Sequence, residues 1–359
     1  MQSNLSENQP RYPHVPVFDG HNDVLSKLRN AGGVRKSEQF LVESAFHIDK
    51  IKAAKGRLAG GFFAMWVASP GGGDYQSLML QDAYDVPLPS AVLQADALNV
   101  VIEQAAILLR LQQLDAVKIC TSKADLESCL QQDALAAVMH LEGCEAIDPE
   151  FNSLDVLYAA GLRSLGPVWS RSNIFGEGVP FRFPSTPDIG AGLTSSGVEL
   201  IRRCDNLGIL VDLSHLNWKG FLDVAKHSNA PLVATHSNVH SLSSHSRNLT
   251  DEQLNIIKAS SGMVGLNYAT AFLRSDGKML PDVPLDQMMR HLDHLLEFVG
   301  EDGVGLGSDF DGAEVPEKIG DSAGLPVLVR AMYEHGYGDE LINKICFGNW
   351  INVLGRTWA

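Results

Sequence analysis

No uninterrupted apolar run in this sequence approaches the roughly 18–20 residues a membrane-spanning helix requires. Its first fifteen residues, MQSNLSENQPRYPHV, lack the basic and apolar blocks of a signal peptide. A cytoplasmic location with no membrane partner is therefore expected. Cysteine is scarce as well: Cys120, Cys129, Cys144, Cys204 and Cys346 make an odd count without a CxxC or other metal-type spacing. They read as reduced thiols packed inside, not as a disulfide framework. Positive charge is in deficit, 28 Lys and Arg against 43 Asp and Glu for a net of -15, so the chain carries no basic footprint for nucleic acid or anionic lipid. The acidity reads as a solvated surface. No GxGxxG follows any apolar run, which argues against a dinucleotide site. Internal repeats, low-complexity tracts and interdomain linkers are absent too.

What the chain does have is bulk and rhythm. Its 359 residues, 45% of them hydrophobic, can bury a large core, read here as one domain over residues 1–359 with 1–14 as an N-terminal extension. The stretch VPVFDGHNDVLSKL (15–28) opens a series of eight short β-type runs. The others are GGFFAMWVA (60–68), LAAVMHLEG (135–143), LRSLGPVW (162–169), GILVDLSH (208–215), PLVATHS (231–237), GMVGLNY (262–268) and GVGLGSDFDG (303–312). Between them lie segments with helical spacing. Thr250 with Gln253 forms a capping-box pattern, SSGVELIRRCDNLG (195–208) starts in serines and ends in Gly208, residues 284–303 are strongly amphipathic, and residues 90–114 make the longest helix. Runs apolar on both faces, separated by helix-sized crossovers, predict a buried parallel sheet. Eight such units predict a closed (β/α)8 TIM barrel over a doubly wound sheet. The Gly- and Pro-rich segments 69–77 and 173–192 read as loops over a site.

In such a barrel, chemistry collects at the C-terminal ends of the strands. The first run ends in His21 and Asp23, the third in Glu142, the fifth in His215, the sixth in His236 and the eighth in Asp309. Any one of these is ordinarily a cap or turn residue. Together they bring three imidazoles and three carboxylates into one cavity, where the charge requires a compensating cation. His21 and Asp23, two apart, share a face of an extended chain. Mixed imidazole and carboxylate donors suit zinc best, with manganese and iron left open. Five ligands exceed the three or so of an open catalytic zinc, and two metals about 3.5–4 Å apart sharing a carboxylate fit better. His140, on the strand face of Glu142, is an alternative ligand or a packed core residue. His240 and His245 belong to the mouth or to a solvated loop, while His47, His291 and His294 read as structural.

The ordered motifs DGHND, LEG, DLSH, THS, SRN and GSDFDG resemble those of the renal (membrane) dipeptidase family, peptidase family M19, within the amidohydrolase superfamily. The resemblance runs from about residue 15 to about residue 354. It implies a binuclear zinc barrel hydrolysing dipeptides, often with a D-residue at the C-terminal position, and suggests a homodimer. It makes His21 and Asp23 ligands of one zinc, Glu142 the bridge, His215 and His236 ligands of the other, and Asp309 the catalytic acid/base. Arg247 then matches the arginine that holds the substrate carboxylate, and Asn248 and Asn349 read as structural or loop-ordering.

Where many members carry a histidine after the fourth strand, this chain has Trp169. An indole N–H donates one hydrogen bond but carries no charge, which bears on competence and substrate preference. Trp169 and Tyr268 are candidate substrate contacts, with core or rim packing the alternative for Tyr268. A water bridging two zincs has its pKa brought to around 7 and would attack the dipeptide carbonyl, with Asp309 carrying the proton to the leaving amine. Two other readings remain. One is another hydrolase of the superfamily acting on a lactone, cyclic amide or modified amino acid, against which HxD and Glu142 argue. The other is a metal-holding accessory barrel without catalysis.

Overall fold

The computed structural model describes residues 15–70 and 75–358. The extension expected over residues 1–14 and the centre of the 69–77 loop lie outside the described residues. Eight parallel strands form the frame: β1 (Val17–Asn22), β2 (Leu58–Trp66), β3 (Ala136–Glu142), β4 (Leu162–Gly166), β5 (Leu210–Val211), β6 (Val233–Ser237), β7 (Met263–Asn267) and β8 (Val304–Gly307). Each pairs with its neighbours in sequence order except at the β5–β6 seam, and β8 returns to pair with β1. The β5–β6 seam is held by a parallel bridge between Asp212 and Val233 and by Leu213 N–H donating to Val233 O at 2.8 Å. The result is the (β/α)8 barrel that the eight apolar runs predict. Every residue of β1 and β3 is buried, because one strand face meets the barrel interior and the other meets helices. That is why the runs show no polar alternation.

The helices follow their local chemistry. Thr250 caps the helix Asp251–Ala259 in a complete capping box with Gln253. The helix Ser195–Leu207 is capped not by serine but by Thr194, whose hydroxyl accepts from Gly197 N–H at 3.1 Å, and it ends on left-handed Gly208. The longest helix runs Gln94–Gln113; it starts four residues after the apolar pattern does, because Leu93 at its N-cap is extended and has no side-chain cap.

A tryptophan from the last helix, Asn349–Thr357, seals the barrel floor. Trp350 packs with Phe18 and Phe62 and donates from its indole N–H to Leu306 O at 3.0 Å. Gly20, Gly265 and Gly305 stand where a Cβ would run into that indole, so these strand glycines mark a close approach. Next to it, Asn349 Nδ2 donates to Glu301 O at 2.7 Å and Val304 O at 2.8 Å, a structural role. Trp350→Ala is expected to cost about 3–5 kcal/mol, the range for emptying a buried aromatic site. It should appear as a lowered urea midpoint followed by circular dichroism, and an unchanged midpoint would show that the indole does not carry the floor.

The mouth has a roof that the sequence pattern did not reveal. Residues 173–192, expected as a loop, contain the strand Phe181–Phe183, which pairs antiparallel with Tyr84–Val86. Phe183 joins a small separate core with Met79, Tyr84 and Phe272, while Arg182 turns outward to Asp85 at 2.6 Å. Tyr84 Oη donates to Gly277 O at 2.6 Å. Three crossover segments are thereby clamped together over the C-terminal end of the barrel.

Candidate metal centre

The backbone around β1 and β8 is built to aim side chains. Asp309 N–H donates to His21 O at 3.0 Å and Asp23 N–H to Phe310 O at 2.8 Å, which locks the two strand ends together. Below them, Asp19 accepts from Ser308 N–H at 2.6 Å and Ser308 Oγ at 2.9 Å. His215 and Asp309 both have positive φ, 68° and 60°, a conformation that L-residues with side chains adopt at a cost of about 1–3 kcal/mol. Such strain is characteristic of sites where side-chain direction matters more than backbone comfort.

Glu142, the last residue of β3, is the hub. Its Oε1 lies 3.1 Å from His215 Nε2 and 3.6 Å from His236 Nε2, and its Oε2 lies 3.7 Å from His21 Nε2. His21 Nε2 is also 3.3 Å from Asp23 Oδ2, and His215 Nε2 and His236 Nε2 are 3.2 Å apart. Donor atoms of His21, Glu142 and His236 lie within 4.8 Å of one another, and so do those of His21, Asp23 and Asp309. The six residues expected from five strand ends are thus brought together.

Their electrostatics call for a cation. Burial raises Glu142 well above the usual carboxylate range, and the charges of Asp23, Asp309 and Asp212 push the same way against His21. Burial disfavours charge on His21, yet the pull of Glu142, Asp23 and Asp309 overrides it and lifts the imidazole to about 10. Burial drives His215 and His236 in the opposite direction, well below their ordinary value, with Arg247 and His21 adding to it. His21 is wholly buried, and among the described residues neither of its ring nitrogens has a hydrogen-bond partner. An unpartnered buried imidazole facing carboxylate oxygens is a donor set, and divalent metal ions fit it.

Supporting hydrogen bonds reach the outer nitrogens of two rings: Ser170 Oγ is 2.8 Å from His215 Nδ1, and Thr235 Oγ1 is 2.8 Å from His236 Nδ1. Asn267 Nδ2 donates to Asp309 Oδ2 at 3.0 Å. Sequence reasoning passed over Ser170, Thr235 and Asn267. Thr235 lies inside the THS motif, but nothing in the pattern separates its hydroxyl from any other strand threonine.

A cleft of about 570 Å³ opens above the cluster, lined by Asp23, Glu142, His215 and Asp309 on one side and by Trp169 and Phe272 on the other. Trp169 stacks obliquely near His215, ring centroids 5.8 Å apart, and packs edge-on to Trp66 and Phe181. Arg247 is buried behind Phe272, its guanidinium 5.4 Å above that ring, with one Nη donating to His236 O at 3.2 Å and its Nε without a partner among the described residues. Asn248 orders the loop by donating to Ser243 O and Phe272 O.

Tyr268 is not brought to the cleft. Its ring is buried in the core against Phe310, because it follows the last residue of β7 on the face turned toward the packing layer.

The remaining histidines divide. His140 is fully buried, with Nδ1 2.9 Å from Ser164 Oγ and Nε2 3.7 Å from Asp212 Oδ2. Two residues before Glu142 on the same strand face, it sits one pleat deeper than the cluster. His240 holds Ser185 O at 2.7 Å, His245 packs on Phe272, His291 accepts from Val239 N–H, and His294 pairs with Asp251 at 2.7 Å. His47 differs from its structural expectation: it lines the cleft, fixed by Asp311 N–H donating to its Nδ1 at 2.9 Å. That contact joins residues 264 apart in the chain, a separation at which no local pattern operates.

Residues 7–358 match the family described as membrane dipeptidase (peptidase family M19). The chain is 46% identical to a metallo peptidase from Rhodobacter sphaeroides, whose crystal structure holds a phosphinate mimic of the dipeptide L-Ala-D-Ala; the match covers 96% of this chain and 99% of that one, with a TM-score of 0.94. It is 45% identical to an uncharacterised protein in the pqqA 5′ region of Klebsiella pneumoniae, over 73% of this chain and 98% of that protein. A probable dipeptidase, PvdM, from Pseudomonas aeruginosa shares the fold at 22% identity, with a TM-score of 0.81 over 96% of each chain.

Proposed function

This chain belongs to the membrane dipeptidase family, peptidase family M19, and is a metallo-dipeptidase; from that premise we propose a two-zinc enzyme that cleaves dipeptides, including those with a D-residue at the C-terminal position. One observation carries the reading: Glu142 turns one oxygen toward His215 and His236 and the other toward His21. A carboxylate so placed suits two ions better than one. In this reading His21 and Asp23 hold one ion, His215 and His236 the other, and Glu142 both. The stereochemical preference takes its support from the L-Ala-D-Ala mimic bound by the Rhodobacter sphaeroides relative.

When bound, such a pair of ions supplies Lewis acidity, bringing the pKa of a water toward about 7 and polarising a carbonyl. The chain's own groups would do the rest. Asp309, oriented by Asn267, takes the proton released as the carbonyl is attacked and returns it to the departing amine. Arg247, whose Nε has no partner among the described residues, takes the free carboxylate. Trp169, Phe181 and Phe272 form an apolar wall that excludes water from the reacting bond. Trp169 offers an indole N–H where a histidine would offer charge, so from its side of the cleft the carbonyl could receive one hydrogen bond but no positive charge.

The test is a panel of L,L- and L,D-dipeptides, lactones and cyclic amides against zinc-loaded protein, with product release and metal analysis on one sample. Two zincs per chain with release from L,D-dipeptides is the expected outcome. Two zincs with no release across the panel would favour a binding or accessory role, and release of product only from lactones or cyclic amides would place the chain with other amidohydrolases.

A further inference from the structure

We propose that Thr235 and Asp212 form a hydrogen-bond relay that fixes the tautomer of His236, so that Nε2 is the nitrogen left free for metal. The geometry is a chain of short contacts buried at the base of the cluster. Thr235 Oγ1 is 2.6 Å from Asp212 Oδ2 and 2.8 Å from His236 Nδ1. Asp212 Oδ1 is occupied by two amides, Ser214 N–H at 2.9 Å and Thr235 N–H at 2.8 Å. Thr235 is wholly buried and Asp212 and His236 are 1% exposed, so water does not compete for these bonds.

Proton counting then sets the direction. A threonine hydroxyl has one hydrogen to give, and a carboxylate only accepts. The hydroxyl therefore donates to Asp212, and its oxygen accepts from Nδ1–H of His236. An imidazole with its proton on Nδ1 has its lone pair on Nε2, the atom that faces Glu142 Oε1 and His215 Nε2. The opposite arrangement, hydroxyl donating to Nδ1, would leave two acceptors 2.6 Å apart with no hydrogen between them. Neighbouring groups leave the relay intact: His140 Nε2 and His236 Nδ1 reach Asp212 Oδ2 only at 3.7 and 3.8 Å. Asp212 is thus anchored by the backbone amides of Ser214, just past β5, and Thr235, within β6, and transmits that anchorage, through one hydroxyl, to a ring at the metal cluster. Partners of this kind orient a metal-binding histidine and raise its basicity, and losing them typically weakens metal binding about 10–100-fold.

Thr235 and Asp212 are positioning residues, and their role rests on reading His236 as a ligand. The experiment uses full-length protein labelled with ¹⁵N-histidine, examined zinc-loaded and after chelation, with the zinc dissociation constant measured against a competing chelator. Wild type and Thr235→Ser should show His236 protonated on Nδ1 in both states, with equal zinc affinity. Thr235→Val keeps the shape but removes the hydroxyl; it should lose the fixed tautomer and raise the dissociation constant about 10–100-fold. Asp212→Asn should do at least as much, since a carboxamide must point N–H at either the hydroxyl or the two amides. If Thr235→Val keeps both the Nδ1–H pattern and wild-type affinity, the relay is refuted, whether or not Asp212→Asn folds. A failure of the ligand reading looks different: zinc would leave the His236 nitrogen signals of wild type unmoved, while the tautomer of chelated protein would still report on the relay.

Discussion

Asp309→Asn is expected to lower kcat by about 10²–10⁴-fold, the usual weight of a positioned acid/base, while the protein still binds its metals. Asparagine fills the same volume and can still accept from Asn267 Nδ2, which sits 3.0 Å from Asp309 Oδ2. What it cannot do is take up a proton as the carbonyl is attacked and give it back to the amine, and an amine that leaves unprotonated leaves poorly. The carboxyl group is well placed for that exchange. It is half-buried at the rim of the cleft, held at φ 60° by a backbone that gains nothing from the strain. Burial raises its affinity for a proton, Asp23 adds to that, and His21, Asn267 and Arg247 oppose it, with the balance upward.

The geometry also contains a rival role, since Asp309 shares a donor group with His21 and Asp23. As a metal ligand it would lose an ion on substitution. Metal analysis beside single-turnover kinetics separates the two: two ions with slow chemistry supports the proton carrier, whereas one ion lost assigns Asp309 to coordination. Near-normal turnover with both ions bound would remove it from either role.

How much of this was legible beforehand depends on the range of the interaction. The barrel was, because burial of both strand faces leaves its mark in each short run, and every residue of β1 and β3 is buried for that one reason. The convergence of His21, Asp23, Glu142, His215, His236 and Asp309 was legible for a topological reason: in a closed parallel barrel all strand ends meet at one mouth. The roof was not, since Phe181–Phe183 acquires its strand character by pairing with Tyr84–Val86, about a hundred residues away. Nor was the place of His47, whose cleft position is set by Asp311. Tyr268 shows the converse error. Ending an apolar run suggests a mouth residue, but one residue past Asn267 the side-chain direction reverses and the ring turns into the core. Arg247 was found through a motif, and its burial behind Phe272 follows from a loop fold that no periodicity announces.

Glu142→Gln should have the broadest effect, because one carboxylate serves both ions in the proposed arrangement. Each ion present at a hundredfold excess over its dissociation constant adds about 2.7 kcal/mol to the folded state. For 359 residues with the average unfolding entropy per residue, that is roughly 3–4 °C of melting temperature per ion. Wild type should therefore melt higher by about twice that amount on zinc addition, Asp23→Asn by the amount of one ion, and Glu142→Gln by little or nothing. Metal-free protein should respond in the opposite sense. Without ions, burial above all disfavours charge on Glu142, and Asp23, Asp309 and Asp212 push the same way against the attraction of His21; exchanging it for a neutral amide of the same shape removes the buried charge. The metal-free Gln variant is expected to melt at or above metal-free wild type, while its peptidase activity disappears. Should it retain one zinc and half the thermal shift, Glu142 would belong to a single ion, and the two ions would have to be held by separate ligand sets, with His21 and Asp23 drawing Asp309 in as their third.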